Sequence, residues 1–206
     1  MLLSQLLKNQ IEKKKLNFNK FNPDIKGIHF NSSKISKNFI FVAIDGKKKD
    51  GHKYIDNAIS NGAALIVIEK KSYKKKLIKK KINFVYTESS KIFLSKLSSR
   101  FYINQPKYIS AVTGTNGKTS VSFMAKEIWK NCNIDSASIG TLGVITNKYK
   151  KKLELTTENS VEFHKNLSIL YKKKINYVCC EASSHGLEQN RIDSLKLDLA
   201  AFTNIS

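Results

Sequence analysis

The chain has 206 residues, of which 41% are hydrophobic and 10% aromatic, a normal globular composition with room for one large domain or two modest ones. Its formal net charge of +21 points at first to nucleic acid or an anionic membrane, but arginine occurs only at Arg100 and Arg191 and the lysines fall in short scattered runs, which reads as solvated surface. No apolar run reaches the length of a membrane span, the start MLLSQLLKNQ is too short and amphipathic for a secretory signal, and Cys132, Cys179 and Cys180 lack metal-site spacing and read as small buried side chains; the expectation is a reduced, cytoplasmic setting with neither nucleic acid nor membrane as partner.

Leu2, Leu3, Leu6 and Leu7 mark one face of a short helix that the lysines after it end. Strands are predicted over 27–30 and 38–44, the second bounded by Asp45-Gly46 and a polar loop to Gly51. A helix over 54–61 stops at Gly62, and the apolar runs 63–69 and 82–86 have strand length. Ile92, Leu94, Leu97 and Phe101 then recur at helical spacing before Gln105-Pro106 breaks the chain, which places a domain boundary between 106 and 107. Beyond it, strands over 108–112, 135–139, 175–180 and 197–202 alternate with helices over 118–131 and 161–173. That alternation predicts a parallel sheet with crossover helices, so the whole reads as α/β: a small N-terminal α/β domain, 1–106, followed by a parallel-sheet domain, 107–206.

The chemistry concentrates at Gly114-Thr115-Asn116-Gly117-Lys118-Thr119, between a predicted buried strand and a predicted helix. Glycines let backbone N–H groups turn inward around an anion, and a helix N-terminus adds about half a positive charge. Lys118 supplies an ammonium for the outer phosphates of a nucleotide and Thr119 a hydroxyl for magnesium, although the loop is shorter than the full G-x-x-x-x-G-K-[ST] pattern. A second element of such a site is an acid at the end of a neighbouring parallel strand, and Glu181, expected just after the strand 175–180, provides it.

In order and spacing, "TGTNGKTS", "TTEN", "EASSHGLEQNRI" and "FTNIS" resemble the Mur ligases, the ATP-dependent amide-bond-forming enzymes of peptidoglycan synthesis, and are most similar to the MurE type. The stretch "FNSSKISKNFIFVAIDGKKKDGHKYIDNAISNGAALIVIE" is similar to that family's uridine-nucleotide-binding domain. The resemblance implies a uridine-nucleotide-binding domain followed by a truncated P-loop-type ATPase domain. It also implies ATP and Mg2+ as cofactors, UDP-N-acetylmuramoyl-L-alanyl-D-glutamate as substrate, and diaminopimelate or lysine as the added amino acid. The implied ATP-binding run extends from Gly114 through Ser120, with Lys118 and Glu181 catalytic and Thr119 and Glu181 on the metal. Phe30 and Ser32 would contact the uridine part, with the loop 47–49 near it; Thr156, Thr157, Ser183, Gln189 and Arg191 would bind the UDP-muramoyl peptide. His185 stays open between a base or metal ligand and a structural hydrogen-bonding role.

The implied reaction phosphorylates the D-glutamate side-chain carboxylate, and the incoming amine displaces phosphate from the acyl phosphate, so the protein contributes mainly positioning and charge neutralisation. Two departures stand out. Asn31-Ser32-Ser33 replaces the usual Asp-Ser-Arg, removing an arginine contact to phosphate or ring. The sequence also stops at "FTNIS", where the family continues into a metal-binding histidine, a carbamylated lysine and a C-terminal domain, so the expectation is a first part of a ligase, inactive alone, with a separate C-terminal half as a candidate partner. The alternatives are a non-catalytic UDP-substrate-binding remnant, a MurF-type or folylpolyglutamate-synthetase-like ligase, and a basic nucleic-acid-binding protein.

Overall fold

The computed structural model describes residues 1–9, 16–46, 49–70 and 82–205. The lysine runs 13–15, 74–76 and 79–81, and all of the predicted uridine-side loop 47–49 except Lys49, lie outside the described residues. The chain divides into two compact units, Met1–Phe101 and Tyr102–Ser206.

In the first unit, helix α1 (Leu3–Leu6) precedes β1 (Gly27–His29), β2 (Phe39–Val42), helix α2 (Ile55–Ser60), β3 (Ala63–Glu69), β4 (Asn83–Thr87) and helix α3 (Ser90–Phe101), with 3-10 turns at Ser32–Lys34 and Gly51–Tyr54. The four strands pair in the order β1-β2-β3-β4, all parallel. Leu65 to Ile68 are fully buried, as a central parallel strand covered on both faces requires, and Ile66 and Ile68 pack with Phe41, Ile55 and Ala58.

The second unit runs β5 (Tyr108–Thr113), α4 (Lys118–Asn131), β6 (Ser136–Gly140), β7 (Gly143–Thr146), β8 (Lys150–Lys151), α5 (Ser160–Lys172), β9 (Tyr177–Glu181), α6 (Ser184–Glu188) and β10 (Leu199–Phe202). Its six strands take the order β10-β5-β9-β6-β7-β8. The first four are parallel, but β7 and β8 return antiparallel and correct the all-parallel expectation. No periodicity announces this hairpin, because β8 is two exposed lysines that become strand only by pairing with Val144 and Ile145. The core is built from Ile109, Ala111, Ala137, Ile139, Val178 and Cys180 of the sheet against Phe163, Leu167 and Leu170 of α5.

Cys179 and Cys180 are buried, and burial pushes both thiols above their ordinary pKa, which fits inert apolar packing. Cys132 departs from that expectation: it is exposed at the C-cap of α4. Helix α4 is inverted relative to an ordinary amphipathic helix, with Ser122 and Lys126 buried while Met124 and Ile128 are 60% and 61% exposed. Strand β10 forms one edge of the sheet, and Leu199 and Phe202 on it are exposed. Among the described residues, no helix is long and apolar enough to cross a membrane.

The chain from Tyr102 to Pro106 groups with the second unit, and the Gln105 amide nitrogen lies 2.7 Å from Nδ1 of the buried His164 on α5. Burial pushes the His164 pKa down to about 4. Below its ordinary pKa of about 6.5 the unfolded chain therefore takes up a proton that the folded chain refuses; the stability is complete above that value and is lost as pH falls towards 4. Between pH 7 and pH 5, His164→Asn is expected to lose about 2 kcal/mol less than the wild type in urea unfolding. Equal losses for the two proteins would contradict this.

Candidate functional site

Strand order places the predicted chemistry along one edge of the second sheet. Phe202 pairs with Thr113, Val112 with Glu181, and Ile139 with Cys180, so β10, β5, β9 and β6 end level with one another. The segments following them, at Thr203, Gly114, Ala182 and Thr141, emerge side by side at the C-terminal edge, where open parallel sheets bind ligands.

The loop between β5 and α4 turns through Gly114, at φ +131°, and Gly117, at φ +85°. A Cβ on Gly114 would sit 2.1 Å from Thr203 Oγ1, so only glycine allows the chain after β10 to lie against the loop. Gly117 is the N-cap of α4 and brings no side chain, leaving the first-turn N–H groups of the helix for an external anion. Lys118 Nζ donates to the carbonyls of Gly114 at 2.6 Å and Thr115 at 2.9 Å, which folds its ammonium over the loop. Ser120 lies exposed in the first turn of α4.

Glu181 is the last residue of β9 rather than the first after it, and it is buried. Three donors hold its carboxylate: Thr119 Oγ1 to Oε2 at 2.9 Å, the Thr141 N–H to Oε1 at 2.8 Å, and Thr141 Oγ1 to Oε2 at 3.2 Å. Gly140 makes the space, since a Cβ there would lie 2.0 Å from Oε1. The predicted pair Thr119 and Glu181 is thus in direct contact across 62 residues of sequence.

The predicted peptide-side residues join the same network. Thr157 Oγ1 donates to the Glu181 carbonyl at 2.8 Å and accepts from the Ser183 N–H at 2.9 Å. Ser183 caps α6 by accepting from the Gly186 N–H at 3.1 Å, which leaves its hydroxyl proton for another acceptor. Arg191 donates to the Thr157 carbonyl and, through Nε at 3.2 Å and Nη2 at 2.8 Å, to Gln189 Oε1. Burial lowers the Arg191 pKa from its ordinary value, and the Glu158 carboxylate opposes that shift. Thr156 Oγ1 lies 3.1 Å from Thr141 Oγ1. Thr119, Thr141, Thr156, Thr157, Glu181, Ser183, Gln189 and Arg191 therefore form one connected set.

Phe30 and Ser32 belong to the first unit. Phe30 stacks on His29 with ring centroids 4.9 Å apart, and Ser32 is buried at the start of a turn capped by Asn31, whose Oδ1 accepts from the Ser33 N–H at 3.0 Å. His185 is exposed on α6, and among the described residues no group of three or more His, Cys, Asp or Glu side chains is placed to hold a metal.

Comparison with known proteins places the chain in a family. Residues 24–102 match the Mur ligase family, catalytic domain, and residues 112–206 match the Mur ligase middle domain. The chain belongs to the Mur ligase family. A UDP-N-acetylmuramoyl-L-alanyl-D-glutamate--2,6-diaminopimelate ligase of Zymomonas mobilis is 39% identical over 182 residues, covering 88% of this chain and 36% of the relative. The enzyme of the same description from Wigglesworthia glossinidia brevipalpis is 39% identical over 188 residues, covering 88% and 38%. The chain thus spans little more than a third of the length of these curated relatives. Among solved structures, a diaminopimelate ligase of that description aligns over 100% of this chain and 41% of its own, with TM-score 0.79 and 24% identity, a likeness of fold. The MurF ligase from Thermotoga maritima in complex with ADP aligns over 86% and 37%, with TM-score 0.55 and 26% identity.

Within this Mur ligase chain, sequence reasoning passed over three site residues. Thr141 carried no motif, although Gly140 before it, at the end of a strand, marks a place where something approaches closely. Thr203 and Asn204 lie in the "FTNIS" stretch, which was matched to the family without a role. Asn204 accepts from the Thr115 and Asn116 N–H groups, each at 3.0 Å, and Thr203 Oγ1 donates to the Asn116 carbonyl at 2.6 Å. Together they brace the loop between Gly114 and Thr119.

Proposed function

We propose that this chain supplies the ATP and UDP-peptide sites of a ligase that adds diaminopimelate to UDP-N-acetylmuramoyl-L-alanyl-D-glutamate. The observation that carries the reading is the Thr119–Glu181 contact at the end of a glycine loop, continuous with the Thr156, Thr157, Ser183 and Arg191 cluster. Gly114 to Ser120 would hold the ATP phosphates through first-turn amides of α4 and the Lys118 ammonium, which needs only to leave two loop carbonyls. Phe30 and Ser32 would take the uridine part. Arg191, with Thr156, Thr157, Ser183 and Gln189, would hold the anionic UDP-muramoyl peptide, since its fork of donors suits a carboxylate or diphosphate.

The donor set also fits Mg2+. The Thr119 hydroxyl and Glu181 carboxylate are hard oxygen ligands, and Gly140 keeps a cradle for that carboxylate that a Cβ would fill. One carboxylate plus a hydroxyl is what Mg2+ takes from protein when phosphates and waters complete its shell. Bound there, Mg2+ would neutralise charge on the phosphates. The chain's own part is to hold the γ-phosphoryl near the D-glutamate carboxylate, to balance charge through Lys118, and to orient Glu181 through Thr119 and Thr141. ATP would phosphorylate that carboxylate, and the amine of diaminopimelate would displace phosphate from the acyl phosphate. The diaminopimelate site is assigned to a part of the ligase other than these residues, as a continuation or a separate C-terminal half.

Isothermal titration of the chain with ATP, with and without Mg2+, and with the UDP-dipeptide tests the reading. Binding of both ligands, with ATP tighter in Mg2+, is the expected result. Absence of binding to either one refutes it.

A further inference from the structure

Thr141 stands between the two halves of this network. Its N–H and hydroxyl both face the Glu181 carboxylate, at 2.8 Å and 3.2 Å, and the same hydroxyl lies 3.1 Å from Thr156 Oγ1. A hydroxyl has one proton. With that proton on Glu181 Oε2, Thr141 Oγ1 can only accept from Thr156, whose own proton is then committed away from any substrate. Thr157, beside it, is already tied to the Glu181 carbonyl. The state of Glu181 therefore sets which way the hydroxyls of Thr141 and Thr156 point.

We propose that Thr141 is a positioning residue that couples occupancy of the nucleotide and metal end of the site, at Thr119 and Glu181, to binding of the UDP-peptide at Thr156. The inference rests on the function proposed above. Serving as a ligand to a cation, the Glu181 carboxylate would be a poorer hydrogen-bond acceptor for the Thr141 hydroxyl. The Thr141 proton then turns to Thr156 Oγ1, and the Thr156 proton becomes available to a substrate oxygen. The coupling is positive, and by linkage each ligand raises the affinity of the other by one factor. Thr141 is exposed, so changing its side chain opens no core cavity, and the N–H bond to Glu181 Oε1 survives any substitution except proline.

The test is the affinity of the 206-residue chain for UDP-N-acetylmuramoyl-L-alanyl-D-glutamate by isothermal titration, with and without a non-hydrolysable ATP analogue and Mg2+. Wild-type chain is expected to bind the UDP-peptide at least about fivefold tighter in the presence of the Mg2+-nucleotide. Thr141→Val should bring that ratio close to one, whatever its affinity for each ligand alone, and Thr141→Ser should restore it. A merely structural role would weaken single-ligand binding and leave the ratio unchanged. A wild-type ratio in Thr141→Val, or a ratio of one in a wild-type chain that binds both ligands, overturns the coupling alone. A wild-type chain that fails to bind either one of the two ligands defeats the proposed function, and the coupling with it.

Discussion

Lys118→Ala is expected to weaken Mg2+-ATP binding by about 30- to 150-fold, the equivalent of about 2 to 3 kcal/mol for a charge-assisted hydrogen bond. Among the described residues, the ammonium donates to the carbonyls of Gly114 and Thr115 and Lys118 is not part of the buried core, so truncating it is expected to leave unfolding midpoints near those of the wild type. Binding measured by titration beside thermal unfolding separates the two effects. Lys118→Arg should recover little, because a planar fork does not reproduce a compact charge folded over two loop carbonyls. Unchanged ATP affinity in Lys118→Ala would remove the phosphate role from this loop.

Gly140→Ala should act through Glu181. The added methyl would lie 2.0 Å from Oε1 and 2.4 Å from Cδ of a side chain that is only 1% exposed and held by three donors. Either the carboxylate shifts or the end of β6 does. The expected cost is about 1 to 3 kcal/mol of stability, the range for overpacking. A shift of the carboxylate breaks the Thr119–Glu181 contact, and the Mg2+-dependent part of ATP affinity should then fall with it. A variant with wild-type melting and wild-type Mg2+ dependence would show that Glu181 is not held where its contacts place it. Gly114→Ala is the companion at the other glycine: a methyl 2.1 Å from Thr203 Oγ1, at φ +131°, strains the loop without touching Glu181. It should cost ATP affinity while sparing binding of the UDP-dipeptide.

Much of the fold was legible because the signals are local. Helix α4 begins at Lys118 and ends at Asn131 where glycine punctuation and apolar spacing put it, and β3 covers the run Ala63–Glu69. Buried parallel strands read as continuous apolar stretches whatever surrounds them. The misses have the opposite character. Strands β7 and β8 and helix α6 are short, and their form comes from partners: Val144 and Ile145 organise Lys150 and Lys151, while the Ser183 hydroxyl caps Gly186. The exposed face of α4 was also hidden, since Met124 and Ile128 look like core residues in sequence.

By itself the sequence determined the α/β class, the glycine turn from Gly114 to Thr119 between a strand and a helix, and an acid at the end of a neighbouring strand, because glycine geometry, helix starts and strand runs are written within a few residues. Only the tertiary structure decided what converges on that acid and on the loop beside it. Thr119, Thr141 and Asn204 meet their partners across 62, 40 and 88 residues of chain. Those meetings follow from the strand order β10-β5-β9-β6, which lines up four strand ends along one edge. Strand order depends on how remote segments share a core, and no short window of residues carries that information.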